Sequence, residues 1–286
     1  MFDAFETGRF LGRPVRLFVF TRQALVWRFA SADRDIVIGA DTYLAAQIER
    51  DEIKQTAERA KDKLGIRFAY LRDPDAPAEI IPSTQTLGDN WHPYPPSDTV
   101  SVRCLAAHYG DTDPPAVEWI GVVTQPKFSD VELELTCEPD NGLARARNQG
   151  PKWQRGCWKT VYSEGLRGCN LDPDAFKVDA VLSAASGLTI AADEFASAPL
   201  PLDSGYVTWE REDGLIERRS ITRHVGNTLT LHYGATDLAV GVAVTARPGC
   251  PRTWAACAAR GNTLNYGGSV YKPVKNPMDG VSMSWG

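Results

Sequence analysis

No apolar run in this 286-residue chain approaches the ~20 residues that span a bilayer, so no membrane segment is expected. No basic block interrupts a sequence of net charge -5, which argues against nucleic-acid-specific binding. The loops of common enzyme families are missing as well: there is no G-x-x-x-x-G-K-[ST], G-x-S-x-G, H-E-x-x-H or G-x-G-x-x-G. Histidine is scarce, and His92, His108, His224 and His232 are scattered. His224 and His232 stand eight apart in strand-like sequence, where solvated or strand-edge histidines are a plainer reading than a metal pair. Asp172, Asp174 and Asp179 lack the ligand spacing and central glycine of a calcium loop and are expected to cap and solvate a turn. The pattern points away from an enzyme.

The opening segment MFDAFETGRFLGRPVRLFVF has no basic start, apolar core or small-residue cleavage site. Folding in a reducing cytoplasm is therefore expected, where structural disulfides are rare. A chain of this length buries roughly 75% of its unfolded surface and needs no staples to fold. Its six cysteines call for another explanation.

What the sequence does have is short β-branched and aromatic runs broken by turn residues. Strands are predicted at VRLFVFT (15–21), ALVWRFA (24–30) and DIVIGADTYLAAQI (35–48), the last with a hairpin tip at 39–41. A charged stretch with room for one helical turn precedes the strand GIRFAYL (65–71). Residues 72–98, rich in Asp, Pro, Asn and Ser, read as a surface loop. Three more strands follow: TVSVRCLAAHY (99–109), VEWIGVVTQPKF (117–128) and VELELTCEP (131–139).

The pattern breaks over 138–156, which sets the expected domains at 1–148 and 149–286. Asp172–Phe176 is expected to start a helical turn, with Asp172 as its cap. Strands are then predicted at 178–192, 205–211, 216–226, 228–234 and 240–248. The best helix candidate is PRTWAACAAR (251–260), with Pro251 at its start and Gly261 past its end. The fold class is mainly β: two β-rich domains with few short helices.

The cysteines divide into two kinds. Cys104 and Cys137 sit in apolar strand sequence, as plain buried thiols do. Cys157, Cys169, Cys250 and Cys257 each lie beside Gly, Pro or a helix start, and the dipeptide Gly-Cys occurs three times among them. Two mid-helix cysteines seven apart would share a face but stand about 10 Å apart along the axis. Placing Cys250 in the loop before Pro251 closes that gap, and a helix N-terminus favours negative charge. Four thiolates suit zinc or an iron–sulfur cluster. Intervals of eleven and six residues are wide for structural zinc, while unpaired core thiols and a pair of disulfides remain the other readings.

At these residues the chain resembles a known family. CWKTVYSEGLRGCNLDPDAF (157–176) and PGCPRTWAACAARGNTLNYGG (248–268) with YKPVKNP (271–277) are similar to signatures of a phage tail-tip and baseplate hub family. It is the family related to the tail tip protein L of phage lambda and the hub protein of gene transfer agents. The segment from TGRFLGRPVRLFVFT to QIERDEI is similar to its opening β-domain. The resemblance implies a structural virion protein of the tail tip, assembled in the host cytoplasm as a homotrimer. Its implied partners are a distal tail ring protein, a central hub or fibre protein and a tape-measure protein. It also implies a C-terminal domain organised around a [4Fe–4S] cluster on Cys157, Cys169, Cys250 and Cys257, zinc being the second choice of metal. Two rivals stand beside this expectation. One is a tail-associated enzyme, either a cell-wall hydrolase or a redox protein. The other is a receptor- or glycan-binding module using the aromatic loop NWHPYPPSD (90–98).

Overall fold

The computed structural model describes residues 7–8, 12–54, 62–73, 75–111, 113–140 and 153–273. The chain divides into two units, Met1–Arg147 and Asn148–Gly286. Both are mainly β, with a few short helices. Among the described residues no helix is long and apolar enough to cross a membrane. The charged stretch expected to form a helical turn falls largely on 55–61, outside the described residues.

In the first unit the strands are β1 (Pro14–Arg22), β2 (Leu25–Ser31), β3 (Ile36–Ile38), β4 (Asp41–Ala46), β5 (Ile48–Arg50), β6 (Leu64–Ala69), β7 (Ser101–His108), β8 (Ala116–Phe128) and β9 (Glu132–Pro139). They form one sheet in the order β3-β4-β2-β1-β7-β8-β9-β6-β5. Every pairing is antiparallel except β2 with β4, which run parallel. The sheet curls far enough that β5, at one edge, touches β2. Phe18, Phe20, Phe29, Ile48, Ile66, Phe68, Leu133 and Leu135 pack together on one face of the sheet. The other face of β1 carries Val15, Leu17 and Val19, buried against Ile36, Tyr43 and Leu105. Burial on both faces explains why β1 reads as a continuous apolar run, while β6 and β9 alternate. Each fully buried Phe or Leu contributes about 1.5–3 kcal/mol.

Residues 72–98 depart from the expected surface loop. They contain a 3₁₀ turn, Ala78–Ile80, and a short helix, Gln85–Gly88, and they send Leu87 and Trp91 into the main core. The Gln85 side chain donates to Leu71 O and accepts from Leu71 N–H, and Tyr70 Oη donates to Asp89 Oδ1. The polar and proline-rich composition hid two side chains that fill the core. The aromatic loop 90–98 is likewise tied down: Arg22 donates to Asn90 Oδ1, and His92 packs edge-on against Phe128.

In the second unit β10 (Val178–Val181), β11 (Ala184–Ser186), β12 (Thr189–Ala191), β13 (Tyr206–Glu210), β14 (Ile216–Val225), β15 (Thr228–Leu231) and β16 (Ala243–Arg247) form an antiparallel sheet, ordered β10-β16-β13-β14-β15-β12-β11. The run 178–192, expected as one strand, is three, because Gly187 takes a left-handed φ of 58° and reverses the chain between Ser186 and Thr189. Val207, Trp209, Ile221, Leu229, Phe195 and Ala246 lie in its core. The expected helical turn at Asp172–Phe176 is a non-helical turn, in which Asp172 Oδ1 accepts the Asp174 N–H. Asp174 pairs with Arg247 and Asp179 accepts from Thr245, so these acids brace the strand ends.

Candidate functional site

Two segments from opposite ends of the second unit meet: 153–173, ahead of β10, and 248–273, after β16. The first is laced onto the second by backbone. Cys157 N–H donates to Arg252 O at 2.8 Å, Ser269 N–H to Gln154 O at 2.8 Å and Tyr266 Oη to Arg155 O at 2.6 Å. Tyr162 Oη donates to Pro248 O, and its ring stands edge-on to Tyr206 of β13. Tyr162, Asn170 and Arg252 all hold left-handed φ angles, a conformation that costs non-glycine residues about 1–3 kcal/mol and gathers at ligand clamps. Gly168 and Gly249, each just before a cysteine, leave no room for a Cβ. It would meet the carbonyl of Ser163 in the first case and of Ser204 in the second.

The helix here is shorter than the sequence suggested. It spans Trp254–Ala259, with Thr253 as N-cap accepting from Ala256 N–H and Gly261 turning the chain at φ 64°. Pro251 lies outside it, because the cap that stops the helix is Thr253. Cys257 is therefore within the helix, while Cys250 lies in the loop ahead of Pro251, as expected.

All six cysteines are free thiols. Cys157, Cys169 and Cys250 lie near enough to Cys257 for their charges to act on it, and each of the four has a polar partner. Gly267 N–H donates to Cys157 Sγ at 3.3 Å, Asn262 Nδ2 to Cys169 Sγ at 3.4 Å and Arg252 N–H to Cys250 Sγ at 3.4 Å. Cys257 Sγ instead donates to Asn262 O at 3.1 Å. Asn262 is the hub. Its Nδ2 also donates to Cys169 O at 2.8 Å, its N–H donates to Cys257 O, and its Oδ1 accepts from Asn265.

Burial pushes the Cys257 thiol up, and the neighbouring Cys169, Cys157 and Cys250 push it further, against a lowering by Arg260. Burial disfavours the charged thiolate, and like charge on the neighbouring cysteines adds to that. Among the described residues no three His, Cys, Asp or Glu side chains are grouped so as to hold a metal ion. N–H groups are aimed at three of the four sulfurs.

Cys104 and Cys137 lie elsewhere, buried in the first unit's core. Burial raises the Cys104 pKa to about 12 and raises that of Cys137 further. His224 accepts Leu202 N–H at Nδ1 and faces Phe195 O and Gly226 O with Nε2, so it braces three backbone segments. Sequence reading placed Arg260, Asn262 and Gly267 within the C-terminal signature but gave them no role. Their one visible signal was the polar and Gly-Gly run that follows the last cysteine.

Residues 202–276 match the family described as phage conserved hypothetical protein BR0599. That span takes in Cys250, Cys257, Arg260, Asn262 and Gly267. The chain is also 34% identical to an uncharacterized protein of Xylella fastidiosa (strain 9a5c), with 100% of each chain covered. Its fold is similar to that of a chain in the virion of a native gene transfer agent particle, with a TM-score of 0.72 at 15% identity over 99% of this chain and 98% of that one.

Proposed function

The chain belongs to the family of the Xylella fastidiosa protein, and from that premise we propose that it is a structural component of a phage or phage-like tail. The observation that carries the reading is the likeness of fold, along nearly the whole chain, to a protein of a gene transfer agent virion. The phage-conserved segment at 202–276 supports it independently. Within that role the chain is an upper hub protein of the tail tip or baseplate. It works as a homotrimer among a distal tail ring protein, a central hub or fibre protein and a tape-measure protein, and it is assembled in the host cytoplasm. Its job is scaffolding rather than catalysis.

In the same reading Cys157, Cys169, Cys250 and Cys257 hold a [4Fe–4S] cluster. The N–H groups of Gly267, Asn262 and Arg252 suit such a role, since each is aimed at a sulfur that would carry negative charge. When bound, the cluster supplies iron–thiolate bonds that cross-link the two ends of the second unit. The chain's own part is to converge the thiols, neutralise their charge and keep the surrounding backbone in place.

Anaerobic purification with visible absorption and iron and sulfide assays tests the site. About four irons and four sulfides per chain are expected, lost in Cys257→Ala. One zinc per chain would overturn the cofactor, and a metal-free chain that folds normally would overturn the site. Deleting the gene from its phage genome tests the role: particles without finished tails are expected, and fully infectious particles would sink it.

A further inference from the structure

Arg260 has a part in this site that the ligands alone do not account for. Its Nη1 donates to Ala256 O at 2.9 Å and its Nη2 to Gly249 O at 2.7 Å. Those carbonyls belong to the residues immediately before Cys257 and Cys250. One guanidinium therefore pins together the backbone on which both cysteines of the second pair are mounted. A rigid planar fork is what such a bridge requires.

The third donor of the same side chain is uncommitted. Arg260 Nε is sealed from solvent and has no hydrogen-bond partner. A buried N–H left unpaired is costly, more so on a charged group. The sulfurs of Cys157, Cys169 and Cys250 each accept an N–H, whereas Cys257 donates its proton to Asn262 O.

Resting on the four-thiol reading above, we propose that Arg260 is the positioning residue of the site. It clasps the backbone of Cys250 to that of Cys257 through the carbonyls of Gly249 and Ala256. A metal group bound there would be retained longer than one without the guanidinium fork.

The test compares the full-length protein with Arg260→Gln and Arg260→Lys, each checked for folding by circular dichroism. Iron release to a chelator is measured anaerobically. Arg260→Gln is expected to lose iron about 10–100-fold faster. Arg260→Lys keeps the charge but not the fork, so it should lose iron as fast as the Gln variant. A Gln variant that retains iron as the parent does overturns the proposal, as does a Lys variant that restores full retention.

A parent without iron would sink the cluster reading while leaving the clasp testable. In that metal-free protein, dibromobimane cross-linking of Cys250 to Cys257, mapped by mass spectrometry, should be on the order of tenfold slower in Arg260→Gln. Equal rates would overturn the clasp.

Discussion

Gly165 and Gly168 lie in one loop and impose different limits. Gly165 holds φ 99° with open space around it, whereas a Cβ on Gly168 would run into the backbone of Ser163 and Glu164. Gly165→Ala should therefore cost about 1–2 kcal/mol of backbone strain. Gly168→Ala should cost more, because the chain carrying Cys169 must move, and urea unfolding with iron content as a second readout separates the two. In the first unit the buried thiol of Cys104 sets a pH dependence. Its pKa rises from 9.0 unfolded to about 12 folded, so its contribution to stability is full below pH 9 and is lost as pH rises towards 12. Urea midpoints should fall between pH 8.5 and 10.5, and fall less in Cys104→Ala. An equal fall in the variant would assign the effect to other groups, such as Tyr70, whose pKa is also raised to about 12.

β14 shows how a whole strand conceals its purpose. Its inward positions include Glu217, Arg219 and Ile221, and the first two form an ion pair at 3.0 Å with both side chains almost fully buried. Arg219 also lies over the rings of Trp209 and Tyr233 and donates to Gly234 O. Glu217→Leu alone should destabilise by about 3–5 kcal/mol, because it strands a buried guanidinium, while Glu217→Leu with Arg219→Met should recover most of the loss. Trp209 fluorescence during urea unfolding reports both.

The sequence IERRSITRHV marked β14 as a strand, because its period was right. It did not mark the buried ion pair, since inward charge looks the same as outward charge until partners are known. The same limit explains the other differences. β-branched runs announced the strands of both sheets, yet neither the parallel β2–β4 pairing nor the curl of the first sheet leaves a local signal. Leu87 and Trp91 were masked by their polar surroundings. At the site the cysteines stood out by residue type, whereas Arg260 and Asn262 act through backbone carbonyls at long range, which spacing does not reveal.

On the scale of the whole molecule, each unit has a core of its own. On the four-thiol reading proposed above, calorimetry should resolve a chelator-sensitive transition belonging to the second unit, with chelation lowering its midpoint while the first unit's transition stays in place. A single transition that shifts as a whole would contradict this division. The site itself joins residues very far apart along the chain. Cys169 meets Asn262 across 93 positions and Cys157 meets Gly267 across 110, with all of β10–β16 lying between. On a ribosome, the first pair of thiols emerges long before the second exists. The sheet has to form with those thiols waiting, and closing so long a loop afterwards is slow unless the sheet has already brought its ends together. On the four-thiol reading proposed above, timing is therefore built into the chain: the site can close only after residues 250–268 have been made, and until then Cys157 and Cys169 wait without their partners.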